Sequence, residues 1–130
     1  MREHLNARVK RREPFRPFAP VTTAAAAAER FGPGGDAFMT RTVEVLPEWR
    51  ERLGAVTHVD GSARLQVAAE GTLLHELLTA FAARRGLPVL LNTSFNVRGE
   101  PIVLTPRDAL RCFFTTGIDH LALGSYLVDK

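Results

Sequence analysis

Apolar positions recur along this chain with two different periods. "TLLHELLTAFAARRG" (Thr72–Gly86) repeats Leu73, Leu74, Leu77, Leu78 and Phe81 at helical spacing. Thr72 is placed to cap that helix, Arg84 and Arg85 sit where its dipole favours cations, and Gly86 can end it. "TTAAAAAERF" (Thr22–Phe31) predicts a shorter helix, stopped by "GPGGD", and "TPRDALRCFFTTG" predicts another from the Thr105-Pro106 cap to Gly117. "PEWRERLG" (Pro47–Gly54) reads as a helical turn.

Strand-like runs separate these helices. "RTVEVL" (Arg41–Leu46) alternates like a half-buried strand. "AVTHVDGSARLQVAA" (Ala55–Ala69) predicts strand, turn and strand about Asp60-Gly61. "LPVLLN" and "PIVL" predict two buried strands, and "HLALGSYLV" a closing one. The order predicts an α/β (α+β) domain over residues 1–130: a twisted mixed β-sheet with flanking helices.

With 130 residues, 45% hydrophobic and 24% charged, the composition suits one soluble globular domain. No apolar run approaches the roughly 20 residues of a membrane span, and "MREHLNARVKRREPF" lacks the apolar core of a secretory signal. Cys112 is the one cysteine, so no internal disulfide forms; a cytoplasmic protein without membrane contact is expected. The net charge of +3 is uneven. Residues 1–16 hold six cations and two acids, a local charge of +4 that leaves the rest at −1. Such a patch suits a phosphate-bearing ligand or nucleic acid, or is a solvated basic terminus. Its cations are mostly arginine, which favours bidentate contacts to phosphate or carboxylate.

Three clusters concentrate hydrogen-bonding and charged side chains. In "LLNTSFNVRGEPIVLTP" a strand ends in Asn92, Thr93, Ser94 and Asn96, followed by Arg98 and Gly99. The carboxyl ends of strands in open α/β sheets are favoured ligand edges. Ser94 and Asn96, two apart, point the same way in an extended segment. The same residues also suit a loop that satisfies its own backbone. "THVDGSAR" crowds Thr57, His58, Asp60, Ser62 and Arg64. Arg64 is a candidate phosphate contact, whereas His58 and Asp60 lack a third metal ligand, so no protein-bound metal is expected. "KRREPFRPFAP" spaces Lys10, Arg12 and Arg16 with Phe15, Phe18 and helix-breaking prolines, as an anion anchor or as a packed strand edge. Cys112, among Leu110, Phe113 and Phe114, reads as a buried structural thiol. There is no P-loop, GxGxxG or zinc spacing.

Together "KRREPFRPFAP", "AVTHVDGSARLQ" and "LLNTSFNVRGEPIV" resemble the C-terminal, YrdC-like domain of NodU/CmcH-type carbamoyltransferases of nodulation-factor and antibiotic biosynthesis, over nearly the whole chain. The resemblance implies a domain that binds ATP, with Mg²⁺, and carbamoyl phosphate, and forms carbamoyl adenylate. An actin-like, iron-holding N-terminal domain then carries the carbamoyl group to a hydroxyl. It likens Lys10-Arg11-Arg12 and Ser94-Phe95-Asn96 to the family's Lys-x-Arg and Ser-x-Asn signatures, and Arg16 and Arg64 to further anion-binding cations. The implied catalytic cations are Lys10, Arg16 and Arg64. The implied ligand contacts add Arg12, Thr57, His58, Asn92, Ser94, Asn96 and Arg98.

Relatives of this type carry a "GPRALG"-type segment and a catalytic domain ahead of the matched region. The expectation is therefore an N-terminally incomplete YrdC-like domain: half of a split enzyme, a truncated product or a repurposed domain. An exposed apolar patch or sheet edge would invite a protein partner supplying the actin-like domain, or self-association. The alternative is a non-catalytic nucleotide-binding or scaffolding subunit. RNA binding rests on fold-level analogy and is disfavoured by the near-neutral remainder of the chain.

Overall fold

A computed structural model describes every residue, Met1–Lys130. The chain divides into two compact units, Pro17–Thr93 and, built from both ends of the chain, Met1–Arg16 with Ser94–Lys130.

In the Pro17–Thr93 unit three strands, β1 (Ala19–Thr22), β4 (Gln66–Val67) and β5 (Val89–Asn92), form a mixed sheet in the order β4-β1-β5. Strand β1 pairs parallel with β4 and antiparallel with β5. β1 is buried along its whole length although Pro20 lies in it. The geometry explains the tolerance. Thr22 turns its carbonyl toward the β4 side, where it accepts from Ala68 N–H at 2.9 Å. Pro20, two residues earlier, faces the same side ahead of the first paired residue, so its missing N–H interrupts no ladder. The buried Thr22 hydroxyl donates to the Pro88 carbonyl at 2.5 Å.

Helix α2 (Ala24–Arg30) follows at once, with Thr23 accepting from Ala26 N–H. It contains the whole alanine run, as expected, and ends at Arg30 because Phe31 turns extended to bridge Val45. β2 (Val43–Glu44) pairs antiparallel with β3 (Ser62–Ala63). Gly61 precedes β3 with φ +82°, so a side chain there would be strained, and its Cβ, 2.7 Å from the Arg50 guanidinium carbon, would displace the end of that side chain.

The hairpin predicted over Ala55–Ala69 does not form. Ala55–Thr57 close the helical turns after Pro47, with Thr57 N–H donating to the Leu53 carbonyl. No strand therefore leads directly into the Asp60-Gly61 turn, and β3 and β4 pair with β2 and β1 instead.

Helix α3 (Leu73–Arg85) has the predicted caps: Thr72 accepts from His75 N–H, and Gly86 ends it in the left-handed region. Its buried face is narrower than the leucine pattern implies. Leu78 is fully buried with Val21 and Ala68, and Leu74 and Leu90 pack against them, whereas Leu73 is 82% exposed and Leu77 54%. Three short strands cover one stripe of a helix, not two.

In the other unit, α1 (Arg2–Leu5) runs into a π-helical stretch, Asn6–Lys10, closed by Arg11 at φ 48°. Helix α4 (Pro106–Thr115) opens with a reciprocal capping box between Thr105 and Asp108. The closing apolar run is a hairpin rather than one strand: β6 (His120–Leu123) and β7 (Tyr126–Asp129) turn at Gly124-Ser125. Ala109, Phe113 and Leu121 form this unit's core, with Phe95, Ile118, Leu123 and Val128 against it. The "PIVL" segment is not a strand: Pro101 offers no N–H, Val103 makes one backbone bond to Phe95, and Ile102 and Leu104 lie exposed. Large apolar side chains also remain exposed at Phe114, Tyr126 and Leu127.

Leu78→Ala should cost about 2–5 kcal/mol in urea denaturation, and Leu73→Ala should change stability by no more than about 0.5 kcal/mol. Equal losses would mean that α3 is not seated on this sheet through Leu78.

Candidate functional site

The Lys10 side chain crosses 84 positions of sequence to meet the segment after β5. Its ammonium donates to the Ser94 carbonyl at 2.6 Å, Ser94 Oγ at 3.1 Å, the Asn96 carbonyl at 3.0 Å and Asn96 Oδ1 at 2.7 Å. Three protons thus face four oxygens. Ser94 Oγ also donates to Asn96 Oδ1 at 2.7 Å, and Asn96 Nδ2 donates to the Glu100 carbonyl at 2.9 Å. Ser94 and Asn96 do face one side, as their spacing predicts, and what they face is Lys10. Burial, and then the Arg12 charge, hold the Lys10 pKa below its ordinary value.

Around this cluster lies a cleft of about 240 Å³ lined by Lys10, Arg12, Arg16, Ser94, Asn96 and Arg98, with Glu13, Val97 and Gly99. The left-handed turn at Arg11 is what brings Lys10 and Arg12 to the same cleft. The Arg11 side chain itself leaves, donating to the Thr115 carbonyl at 3.0 Å. Burial and then Arg16 lower the Arg12 pKa. Glu13 pairs with Arg16 at 3.1 Å and approaches Arg98 at 3.9 Å. A hydrogen bond from its own backbone, then Arg16, Arg98 and Arg12, hold its carboxyl below the usual range. Four cations facing one carboxylate make a cleft poised for an anion with several oxygens.

The Pro17–Thr93 unit has its own cleft, about 340 Å³, where Phe18, Val56 and Ala63 meet His58, Asp60 and Arg64. Asp60 Oδ1 accepts from Ser62 Oγ at 2.6 Å and Ser62 N–H at 2.9 Å, and lies 3.0 Å from His58 Nδ1. These bonds, Ser62 first, bring the Asp60 pKa down to about 2. The Arg64 side chain is exposed and has no hydrogen bond or ion pair within the chain. The remaining two candidates are engaged elsewhere: the Thr57 hydroxyl donates to the Leu53 carbonyl, and Asn92 Nδ2 donates to Gln66 Oε1 at 2.6 Å. No three His, Cys, Asp or Glu side chains gather as a metal site. Cys112 is buried, and burial raises its thiol pKa. No helix is long and apolar enough to cross a membrane.

The sequence pattern passes over one residue of the cation cleft and one that bonds to its cation-bearing segment. Glu13 enters it as a counter-charge, its only signal being its place directly after Arg12. Asn6 is bonded to Arg12, Pro14 and Arg16 and carries no spacing signal at all; it is 1% exposed.

The family model described as "Carbamoyltransferase C-terminus" matches residues 1–130. The chain belongs to that family. It is 45% identical to nodulation protein NolNO of Sinorhizobium fredii over 99% of this chain and 20% of that protein. It is 44% identical to nodulation protein NolO of Bradyrhizobium diazoefficiens over 99% of this chain and 25% of that protein. It is 39% identical to the 3'-hydroxymethylcephem-O-carbamoyltransferase of Amycolatopsis lactamdurans over 95% of this chain and 24% of that enzyme. This carbamoyltransferase C-terminal chain therefore spans about a fifth to a quarter of these relatives.

Because the folded Asp60 pKa lies below its ordinary value, the stability it contributes is present above about pH 4 and is lost as the pH falls through about 2. Asp60→Asn should therefore be less stable than wild type at pH 6. The gap should narrow between about pH 4 and pH 2 in acid-titrated denaturation curves. A gap independent of pH would show that the carboxylate charge is not what holds the turn.

Proposed function

We propose that this chain is the part of an O-carbamoyltransferase that binds ATP and carbamoyl phosphate and forms carbamoyl adenylate. The observation that carries the reading is the convergence of Lys10, Arg12, Arg16 and Arg98 on one small cleft. At about 240 Å³, that cleft falls below the roughly 300–1,000 Å³ of pockets that enclose a drug-sized ligand. It suits a phosphate chain or carbamoyl phosphate rather than a whole nucleotide.

In the proposed reaction, water cleaves the carbonyl–oxygen bond of carbamoyl phosphate to give carbamate and phosphate. A carbamate oxygen then bonds to the α-phosphorus of ATP as the α–β bridging bond breaks, releasing pyrophosphate. Negative charge shifts toward the leaving pyrophosphate, and fixed cations favour that shift without a covalent nucleophile. Arg12, Arg16 and Arg98 present planar donors suited to phosphate oxygens. Lys10 supplies charge from a fixed point, its protons already directed at Ser94 and Asn96. Mg²⁺ comes with the nucleotide, held mainly by phosphates and water.

Glu13 occupies Arg16 from within, so an incoming anion displaces it. The name of the cephem relative places the carbamoyl group on a hydroxymethyl oxygen. The acceptor proposed here is likewise a small-molecule hydroxyl, in nodulation-factor-like or antibiotic-like biosynthesis. The transfer step falls to an actin-like domain supplied by a partner chain or by further polypeptide.

ATP with Mg²⁺ should bind saturably in calorimetry. Arg12→Ala should weaken binding about tenfold or more, and Glu13→Gln should strengthen it a few-fold. Adding carbamoyl phosphate should release pyrophosphate. Binding without release would leave a non-catalytic nucleotide-binding subunit, and no binding at millimolar ATP would end the nucleotide reading.

A further inference from the structure

We infer that Asn6 is a positioning residue for the cation cleft, orienting Arg12 and Arg16 for an anion it does not touch. The inference rests on the anion-binding reading of that cleft. Asn6 lies where α1 passes into the π-helical stretch, is 1% exposed, and is absent from the cleft lining. A buried primary amide carries two donors and an acceptor that must all be met, and here each meets the segment that bears the cations. Nδ2 donates to the Pro14 carbonyl at 3.2 Å and the Arg16 carbonyl at 3.0 Å. Oδ1 accepts from Arg12 Nε at 2.8 Å. The Asn6 backbone carbonyl accepts from Arg11 and Arg12 N–H.

Residues 11–16 belong to no helix or strand. Pro14 has no N–H, and the one backbone bond inside the segment runs from Arg16 N–H to the Glu13 carbonyl at 3.3 Å. The Asn6 side chain alone meets this hook at three of its residues, Arg12, Pro14 and Arg16. Held at Nε, the Arg12 guanidinium has its plane set before a ligand arrives, which reduces the ordering that binding requires. The Arg16 backbone is tied to the same amide. An apolar replacement of equal volume would leave two carbonyls and Arg12 Nε without these partners.

The test has two readouts on the whole chain. The first is hydrogen exchange of the Arg12 Nε–H, followed by nitrogen-15 NMR, with Arg98 Nε–H as internal control. The second is the affinity for ATP with Mg²⁺ by calorimetry, well below each variant's melting temperature. Asn6→Ala should speed Arg12 Nε–H exchange about tenfold or more, leave Arg98 unchanged, and weaken ATP about tenfold. Unchanged Arg12 exchange in a folded Asn6→Ala overturns the inference. So does unchanged affinity where Arg12→Ala itself weakens binding.

If Asn6→Ala does not fold, Asn6→Asp replaces it. The carboxylate keeps the acceptor for Arg12 Nε but loses both donors, so Arg12 exchange should stay slow while ATP binding weakens. Undiminished affinity in Asn6→Asp then overturns the role. Failure of wild type to bind ATP ends the nucleotide reading, and the Arg12 exchange still decides whether Asn6 holds that side chain.

Discussion

The unit made from the two ends of the chain depends on a buried ammonium that must be paired. A lysine charge taken out of water is costly unless oxygens replace its hydration, and Lys10 is 6% exposed. Ser94 and Asn96 supply those oxygens from backbone and side chain together. The pairing closes the N-terminal helical stretch onto the segment after residue 93, so the contact that joins the two ends of the chain also builds the cleft wall. The lowered Lys10 pKa records the remaining desolvation cost. Removing either side-chain acceptor leaves the charge buried with fewer partners, which is worse than never having buried it.

Much of this was legible from local chemistry. Thr72, Gly86 and the Thr105-Asp108 pair mark helix ends because capping is decided within four residues, and the structure places them so. The mixed sheet with flanking helices also follows from the apolar runs. Pairing was less legible. Nothing local to Ala55–Ala69 reveals that Thr57 closes a helical turn on Leu53, which removes the first strand of the expected hairpin. The "PIVL" run reads as a buried strand because composition registers apolarity but not the absence of a neighbouring strand. Leu73 and Leu77 share the helical spacing of Leu78, and only the width of the sheet beneath decides which of them is covered.

The candidate site divides along the same line. Lys10, Arg12, Arg16, Ser94, Asn96 and Arg98 stand out by residue type, and the fold gathers them. Thr57 and Asn92 stand out equally, yet their polar groups serve Leu53 and Gln66. Short polar side chains satisfy backbones and build sites with the same atoms, so type and spacing cannot separate the two uses. Asn6 is the reverse case. One amide in a helical stretch has no pattern, and its weight comes from the three bonds it makes to the irregular segment folded over it.

The division of labour between the cations has a geometric basis. The chain has two lysines among its 17 cations, and both are used alike. Lys10 gathers the Ser94 and Asn96 carbonyls, and Lys130 donates to the Phe113 and Thr116 carbonyls at the end of α4 while lying over the Phe113 ring. A compact ammonium with three rotatable donors can meet carbonyls converging from several directions, whereas a planar guanidinium cannot. Arginine is used where a flat fork is wanted: on the cleft wall, on Glu13 and across the Trp49 ring. Both lysines thus gather carbonyls that converge from different directions, while the arginines of the cleft present flat forks, so replacing Lys10 by arginine would preserve the charge and lose the closure.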